Sequence, residues 1–172
     1  IIVTRPDGSR ERIGCKTHIL ACNGFGGNRD MIRRYIPEMA DALYFGHAGN
    51  QGDAIIWGEA LGGEAEHMGA YQGHGSVATS HGILITWALM MEGGIQVNLG
   101  GERFSNENQG YSEQSVAVLS QDEGLAWCVF DQRLHDLGLT FEDYRNAEAQ
   151  GAVRSAQTVE KLAEIMKVPV DR

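Results

Sequence analysis

The amino-acid sequence predicts an α+β fold, in which short strands are interspersed with helices and a helical region closes the chain. Two observations favour this class. Near the start, Pro6, Asp7 and Gly8 form a turn signal between two short segments, which is typical of a β-hairpin. Near the end, residues 158–167 (TVEKLAEIMK) carry apolar residues at helical spacing, with Thr158 placed to cap the helix.

The segment after the hairpin predicts a strand, a glycine turn and a helix. Residues 17–22 (THILAC) are apolar and predict the strand, and residues 29–39 (RDMIRRYIPEM) predict a short helix interrupted by Pro37. This order is that of a phosphate-binding loop. However, Arg29 stands where a GxGxxG pattern would have its last glycine, so the dinucleotide fingerprint is not met.

Residues 50–63 (NQGDAIIWGEALGG) predict a second helix, which starts near Asp53 and stops at Gly62 and Gly63. The carboxylate of Asp53 suits the N-terminal end of a helix, and a ligand contact is the alternative role for it. We expect the apolar and small residues of this helix to form a close-packing face: Ile55, Ile56, Gly58, Ala60 and Leu61.

The remaining segments continue the mixed pattern. Strands are predicted at residues 80–86 (SHGILIT), 93–98 (GGIQVN) and 125–131 (LAWCVFD), a helix at 112–121 (SEQSVAVLSQ), and helical structure over 140–168.

Composition narrows the function classes. The 172 residues match the size of one domain. The net charge of −9 argues against nucleic-acid binding, which depends on clustered Lys and Arg. No apolar run is long enough to span a bilayer, and no signal peptide opens the chain. The 23 glycines are about twice the typical ~7% share, which favours tight loops or close approach of backbone to a ligand.

Three cysteines, Cys15, Cys22 and Cys128, lack CxxC spacing, so we expect reduced thiols and a cytoplasmic setting. We expect no metal site. Although His67, His74 and His81 recur every seven residues, the glycines between them oppose a continuous helix.

Two residues have candidate roles in catalysis. His74 lies between two glycines and before Ser76, a setting that suits an active site as well as a hydrogen-bonded core histidine. Tyr111 is either a packed aromatic residue or an acid–base group, and the second role would need help from its surroundings because a free phenol has a pKa near ~10. Nucleophilic serine or cysteine catalysis has no supporting motif.

Three motifs together resemble one family. Residues 19–28 (ILACNGFGGN), 47–63 (HAGNQGDAIIWGEALGG) and 100–107 (GGERFSNE) are similar, in order and spacing, to segments of the fumarate reductase and succinate dehydrogenase flavoprotein superfamily. That superfamily also contains 3-ketosteroid dehydrogenases and tricarballylate dehydrogenase. The resemblance runs from residue 1 to about residue 125.

The resemblance implies FAD as cofactor and a division of the chain. Residues 1–28 would be the end of an FAD-binding domain segment, and residues 29–172 the substrate-side cap domain. The residues that would lie along the FAD are Ala21, Cys22, Asn23 and Gly24, and Asp53 matches an FAD-contacting aspartate of the family. Cys22 and Asn23 depart from the family's Thr and Gly.

The family's N-terminal glycine fingerprint and its C-terminal glycine-rich segment are not in this sequence, which begins at Ile1 within a predicted strand and without Met. We therefore expect a piece of a longer protein. Its partners would be the remaining FAD-domain segments, and we expect the piece alone to be colourless, without FAD and inactive.

The resemblance also implies roles on the substrate side. Fumarate reductases have a proton-delivering arginine four residues after the glutamate that matches Glu107. Here that position is Tyr111, as in ketosteroid dehydrogenases, whose tyrosine takes a proton while hydride passes to flavin. Trp87 and Met90 stand at the positions of the family's relay Glu and Arg. The remaining substrate-site residues implied are His74, Ser76 and Thr86.

These implications predict an FAD-dependent dehydrogenase or reductase that acts on a CH–CH bond next to a carbonyl. Trp87 and Met90 suit a larger, more apolar small molecule, as in the 3-ketosteroid dehydrogenases. One alternative is a fumarate- or succinate-type enzyme for dicarboxylates, with an active-site arginine from elsewhere. The other is a non-catalytic ligand-binding or interaction domain that shares the cap fold.

Overall fold

The computed structural model describes residues 1–170, which divide into two compact units with mixed helix and sheet. The first unit consists of Ile1–Asn28 and Gly46–Glu66. The second consists of Arg29–Phe45 and the described chain from His67 onward. The mixture confirms the prediction of helix and sheet together.

The two units are defined by their internal contacts and do not identify a cofactor or substrate domain. The assignment of residues 1–28 to an FAD domain and of residues 29–172 to a cap domain therefore stays a prediction. The last two positions of that second range, 171 and 172, lie outside the described residues.

The helices and strands are short. The strands are β1 (Ile2–Thr4), β2 (Arg10–Arg12), β3 (Val77–Ala78), β4 (Ile83–Leu84), β5 (Ile95–Val97) and β6 (Trp127–Val129). The α-helices are α1 (Arg29–Tyr35), α2 (Asp53–Ala60), α3 (Ala88–Met91), α4 (Tyr111–Leu119), α5 (Gln132–Gly138), α6 (Glu142–Ala149) and α7 (Val159–Met166). Short 3₁₀ turns lie at Pro37–Met39, Glu107–Gln109 and Asp122–Gly124.

The predicted hairpin is confirmed in the first unit. Strands β1 and β2 pair antiparallel with Val3 opposite Glu11, and Gly8 N–H closes the turn by donating to Arg5 O at 2.9 Å. The strand predicted at residues 17–22 is wrong, because those residues have no regular structure and Ile19 is 81% exposed. A strand needs a partner for its N–H and C=O groups, and among residues 1–170 β1 and β2 pair only with each other.

Helix α2 starts one residue earlier than it would if Asp53 were the N-cap. Gly52 is the N-cap, with a φ of 85° that a side chain would disfavour, and Asp53 is the first helical residue. The predicted close-packing face is wrong within the described chain. No residue of α2 is buried, and the large side chains of Ile56 and Leu61 are exposed.

In the second unit, the predicted strands are confirmed in shortened form as β4, β5 and β6. β3 pairs with β4 and β5 with β6, both antiparallel. The helix predicted at 112–121 is α4, which begins at Tyr111. The long helical region divides into α6 and α7 because Gly151, with a φ of 78°, follows the end of α6. The Thr158 cap is confirmed, since its hydroxyl accepts from Lys161 N–H at 3.3 Å.

The hydrophobic core of the second unit joins α3, α5 and α6 to β4. Its buried members are Ile85, Trp87, Leu89, Met90, Leu134, Tyr144 and Ala147. The phenol of Tyr144 is buried and lies 2.9 Å from His135 Nδ1, and burial, aided by Glu148, raises the pKa of Tyr144 to about 12. Within residues 1–170, none of the helices combines the length and apolar character needed to cross a membrane.

Candidate functional site

The structure brings His74 and Tyr111 together in the second unit. Their rings stack with centroids 5.4 Å apart and an interplanar angle of 21°. The backbone holds the pair, because Gly75 N–H donates to Tyr111 O at 3.1 Å. Trp87 meets the imidazole edge-on, with centroids 5.9 Å apart at 87°. His74 and Tyr111, which are 37 positions apart in sequence, are thus in contact, and we call them the His74–Tyr111 pair.

The hydrogen bonding of His74 defines its tautomer. Its Nδ1 accepts from Ser76 N–H at 3.2 Å, so Nδ1 carries no proton and Nε2 carries the proton of the neutral ring. Burial lowers the pKa of His74 below its ordinary value, because it disfavours the charged form. At neutral pH, His74 is therefore an uncharged donor through Nε2.

Tyr111 opens helix α4, and its phenol oxygen accepts a hydrogen bond from Gln72 Nε2 at 2.9 Å. The side chain is partly exposed, so an outside molecule can reach it. Because Gln72 donates to the oxygen, the phenol keeps its own proton for another acceptor. Sequence reasoning missed Gln72. The available signal was its place in the same glycine-flanked segment as His74, two residues upstream.

A close approach of backbone to α4 explains one glycine in this segment. A Cβ on Gly73 would lie 2.1 Å from Ser115 Oγ and 3.0 Å from Ser115 Cβ. Ser112 Oγ donates to Gly73 O at 3.3 Å across the same contact. Only a glycine lets the segment that carries His74 lie this close to α4.

Ser76 and Thr86 are both engaged within the protein. Ser76 is buried, and its Oγ lies 3.5 Å from Cys128 Sγ. Burial raises the pKa of the Cys128 thiol, which keeps that thiol protonated. Thr86 Oγ1 accepts from Ala88 N–H at 3.3 Å and so supports the start of α3. Their predicted contacts with substrate stay predictions.

Trp87 and Met90 belong to the hydrophobic core rather than to an open surface. Met90 is 3% exposed and Trp87 is 7% exposed. The indole N–H of Trp87 is buried and has no hydrogen-bond partner among the described residues. Trp87 still borders the His74–Tyr111 pair through its contact with His74. Its position is consistent with an apolar wall behind the imidazole.

The GGERFSNE segment contributes a buried carboxylate to the second unit. Glu107 is 3% exposed, and its carboxylate accepts from Arg103 Nε at 3.1 Å and from Gln96 N–H at 2.7 Å. Burial alone would raise the pKa of Glu107, but the hydrogen bonds from Arg103 and Gln96 outweigh it and lower that pKa. Glu107 is therefore a structural anion at neutral pH.

The residues predicted to lie along FAD gather in the first unit. Residues Ala21–Gly24 are exposed, and Gly24 O accepts from Gly52 N–H at 3.2 Å, which brings this loop beside the start of α2 and Asp53. Asn23, with a left-handed φ of 60°, donates through Nδ2 to Asn50 Oδ1 at 3.4 Å.

This arrangement leaves room for a cofactor with polar groups. The loop backbone is open, and nothing lies within 4 Å of the position that a Cβ on Gly24 would take. The exposed Asp53 carboxylate adds an acceptor for hydroxyl or amide groups. In residues 1–170, no three His, Cys, Asp or Glu side chains are grouped to hold a metal, so the spacing of His67, His74 and His81 creates no triad.

Comparison with known proteins identifies a family. The family model described as FAD binding domain matches residues 1–163. The chain therefore belongs to the FAD binding domain family of the fumarate reductase and succinate dehydrogenase flavoprotein superfamily, whose cofactor is FAD.

Its relatives include two kinds of enzyme. The chain is 30% identical over 151 residues to the probable fumarate reductase Ifc3 of Shewanella frigidimarina, covering 88% of this chain and 25% of that protein. It is 32% identical over 133 residues to the 3-oxosteroid 1-dehydrogenase of Mycobacterium tuberculosis, covering 69% of this chain and 23% of that protein.

A solved structure of a flavocytochrome c3 fumarate reductase in the open conformation matches with a TM-score of 0.76 and 28% identity, over 99% of this chain and 30% of that one. The chain thus spans less than a third of the length of each of these three proteins.

Proposed function

We propose that the protein to which this chain belongs is an FAD-dependent oxidoreductase that acts on a carbon–carbon bond next to a carbonyl, with Tyr111 in proton transfer. The second unit would then contain the substrate-side cap domain. One observation carries the proposal: the phenol of Tyr111 stacks on His74 while Gln72 donates to its oxygen. This arrangement orients a partly exposed acid–base group beside a neutral hydrogen-bond donor.

Tyr111 can move a proton in either direction. As an acid, the phenol donates its own proton to a carbon, since its oxygen already accepts from Gln72. As a base, it takes the proton from the substrate, and the Gln72 amide stabilises the negative charge that develops on the oxygen. Stacking on His74 limits the rotation of the ring and so directs the phenol.

His74 supports the same reaction through its tautomer. Because Nδ1 is occupied by Ser76 N–H, the Nε2–H group is the one available to a substrate oxygen. A donor at a carbonyl oxygen stabilises the charge that builds up when the adjacent C–H bond loses its proton. The lowered pKa keeps this donor neutral, which avoids a permanent charge next to an apolar substrate.

FAD, when bound, would accept or supply the hydride. Residues Ala21–Gly24 would lie along it and Asp53 would contact a polar group, which the open loop and exposed carboxylate permit. The protein's contribution on this side is binding and orientation.

The cluster favours a neutral, apolar substrate such as a 3-ketosteroid. Arg103, the arginine of the GGERFSNE segment, is paired with the buried carboxylate of Glu107 and is thus committed within the protein. Trp87 places an aromatic edge beside His74. The alternative is a dicarboxylate substrate, which similarity to the fumarate reductase of Shewanella frigidimarina favours and which would require arginines to bind its charges.

The test is anaerobic reduction of flavin in the full-length protein. With a 3-ketosteroid as reductant, we expect the flavin absorbance near ~450 nm to decrease, and with succinate we expect no change. Reduction by succinate alone would establish the dicarboxylate alternative. If the bound flavin is reduced by neither compound and, after chemical reduction with dithionite, is not reoxidised by fumarate, a non-catalytic binding domain is favoured.

A further inference from the structure

A buried hydrogen-bond network connects the GGERFSNE segment to the His74–Tyr111 pair. It begins at Glu107, whose carboxylate accepts from the backbone N–H of Gln96. The side chain of Gln96 then reaches the backbone of Gly75, where Nε2 donates to Gly75 O at 2.7 Å. Gly75 itself donates to Tyr111 O at 3.1 Å. Both backbone polar groups of the residue after His74 are therefore engaged.

Each polar atom of the Gln96 side chain has a partner. Besides Gly75 O, Nε2 lies 3.3 Å from Cys128 Sγ, and Oε1 accepts from Gln114 Nε2 at 2.9 Å. Gln96 is 1% exposed, and so is Gln114. A buried amide that loses its partners costs free energy, whereas a fully paired one has a defined orientation. Gln96 is thus a fixed point to which the His74 segment is attached.

We propose that Gln96 is a positioning residue for the active site: by holding Gly75 O, it keeps His74 stacked on Tyr111 and keeps His74 Nδ1 on Ser76 N–H. This proposal rests on the proposed function for its catalytic consequence, but its structural part concerns this chain alone. A simple core role is less specific, because an apolar side chain of similar size would fill the same space. The amide of Gln96 donates to the carbonyl of Gly75, which an apolar side chain cannot do.

The experiment replaces Gln96 by methionine in the full-length flavoprotein, which keeps the length of the side chain and removes its donor. Histidine is labelled with ¹⁵N, and the ring resonances of His74 are assigned by their loss in His74→Gln. In the wild type we expect the Nε2–H tautomer of His74. In Gln96→Met we expect a mixture of tautomers and a fall in kcat/KM of about 10- to 100-fold, the scale of a displaced catalytic group.

Gln109→Met is the matched control, since Gln109 is an exposed amide next to the same segment. It should leave the tautomer and the turnover unchanged. If Gln96→Met does not fold, Gln114→Met removes the donor to Gln96 Oε1 and should change the His74 resonances in the same direction by a smaller amount.

Unchanged His74 resonances in a folded Gln96→Met or Gln114→Met variant would overturn the proposal, whatever the turnover. A tautomer change in Gln96→Met, combined with full turnover in Tyr111→Phe, would support the positioning role and reject the proposed function of Tyr111. The positioning role of Gln96 and the proposed function of Tyr111 can therefore be rejected independently.

Discussion

The imidazole of His74 lies stacked on the phenol of Tyr111, and the same histidine accepts a backbone hydrogen bond from Ser76. The stacking restricts the phenol, and the hydrogen bond decides which imidazole nitrogen carries the proton. Together the two contacts couple the orientation of an acid–base group to the tautomer of its neighbour.

Replacing Tyr111 by phenylalanine tests proton transfer. In the full-length flavoprotein, we expect turnover to fall by about 10²–10⁴-fold, the contribution of a general acid–base group. Substrate binding should change little, because the ring and its stacking on His74 remain. Steady-state and single-turnover kinetics measure the two effects. Tyr35→Phe is the control, since it keeps the ring that Arg34 lies over. Retention of more than about a third of the rate, with chemistry rate-limiting, would reject the catalytic role.

The pH dependence of stability tests the state of His74. Burial lowers its pKa in the folded protein, so the unfolded state binds a proton more readily. The contribution of neutral His74 is complete above the unfolded pKa of ~6.5 and is lost as pH falls through the lower, folded pKa. We expect the free energy of unfolding to decrease in this window, and less so in His74→Gln. Denaturant unfolding at a series of pH values measures it. His81→Gln, which replaces an exposed histidine, is the control variant.

The ion pair of Arg103 and Glu107 should make the free energy of unfolding depend on pH in a lower range than His74 does. The hydrogen bonds to Glu107 outweigh burial and lower its pKa in the folded protein. The contribution of Glu107 to the free energy of unfolding is therefore present above the pKa of a carboxyl group in the unfolded chain, and is lost as pH falls through the lower pKa of the folded state. Arg103→Ala should destabilise the protein at neutral pH, because it leaves a buried carboxylate with fewer donors. Unfolding of Arg154→Ala, an exposed control, should match the wild type. Equal stability of Arg103→Ala would contradict the prediction.

Gly73 provides a test of the close contact with α4. An alanine there would place its Cβ 2.1 Å from Ser115 Oγ, so we expect Gly73→Ala to cost about 1–3 kcal/mol of stability. Removing that oxygen should relieve part of the clash. The double variant Gly73→Ala with Ser115→Ala should therefore be more stable than the sum of the single changes predicts. Gly14→Ala, where a Cβ meets nothing within 4 Å, is the control. Additive effects would argue against the contact.

Asp53 tests the FAD side of the proposal. In the full-length protein, Asp53→Asn should keep the helix start and weaken FAD binding by about 5- to 10-fold, or about 1–1.5 kcal/mol, because a charged hydrogen-bond acceptor is replaced by a neutral one. Titration of the apoprotein with FAD, followed by flavin fluorescence, measures the affinity. Glu59→Gln changes another exposed carboxylate of α2 and should have no effect. An unchanged affinity of Asp53→Asn would leave Asp53 as a helix-start residue only.

The sequence predicted those parts of the fold that depend on local chemistry. The hairpin follows from Pro6 and Gly8, and the cap of α7 follows from Thr158, because turn and cap residues act on their near neighbours. Pairing of strands is a long-range property. Residues 17–22 have strand composition without a strand partner, which a local pattern does not reveal.

The site was predictable in its residue types and not in its supporting contacts. Resemblance to a family indicated His74 and Tyr111, and the structure places them in contact. Gln72 and Gln96 were missed because amides are common on surfaces. In the strand pattern around Gln96, a polar residue between Ile95 and Val97 predicts a solvent-facing position. Its burial depends on Gln114 and Gly75, which lie 18 and 21 positions away.

The placement of the three tryptophans gives each unit its own optical reporter. Trp57, on α2, is half exposed and is the tryptophan of the first unit. Trp87 and Trp127 lie in the second unit with their indole nitrogens buried. An exposed indole emits at longer wavelength and is quenched by added iodide, whereas a buried one is protected. Fluorescence of Trp57→Phe would therefore follow the second unit alone, through the buried indoles of Trp87 and Trp127, and Trp87 is the one that contacts His74.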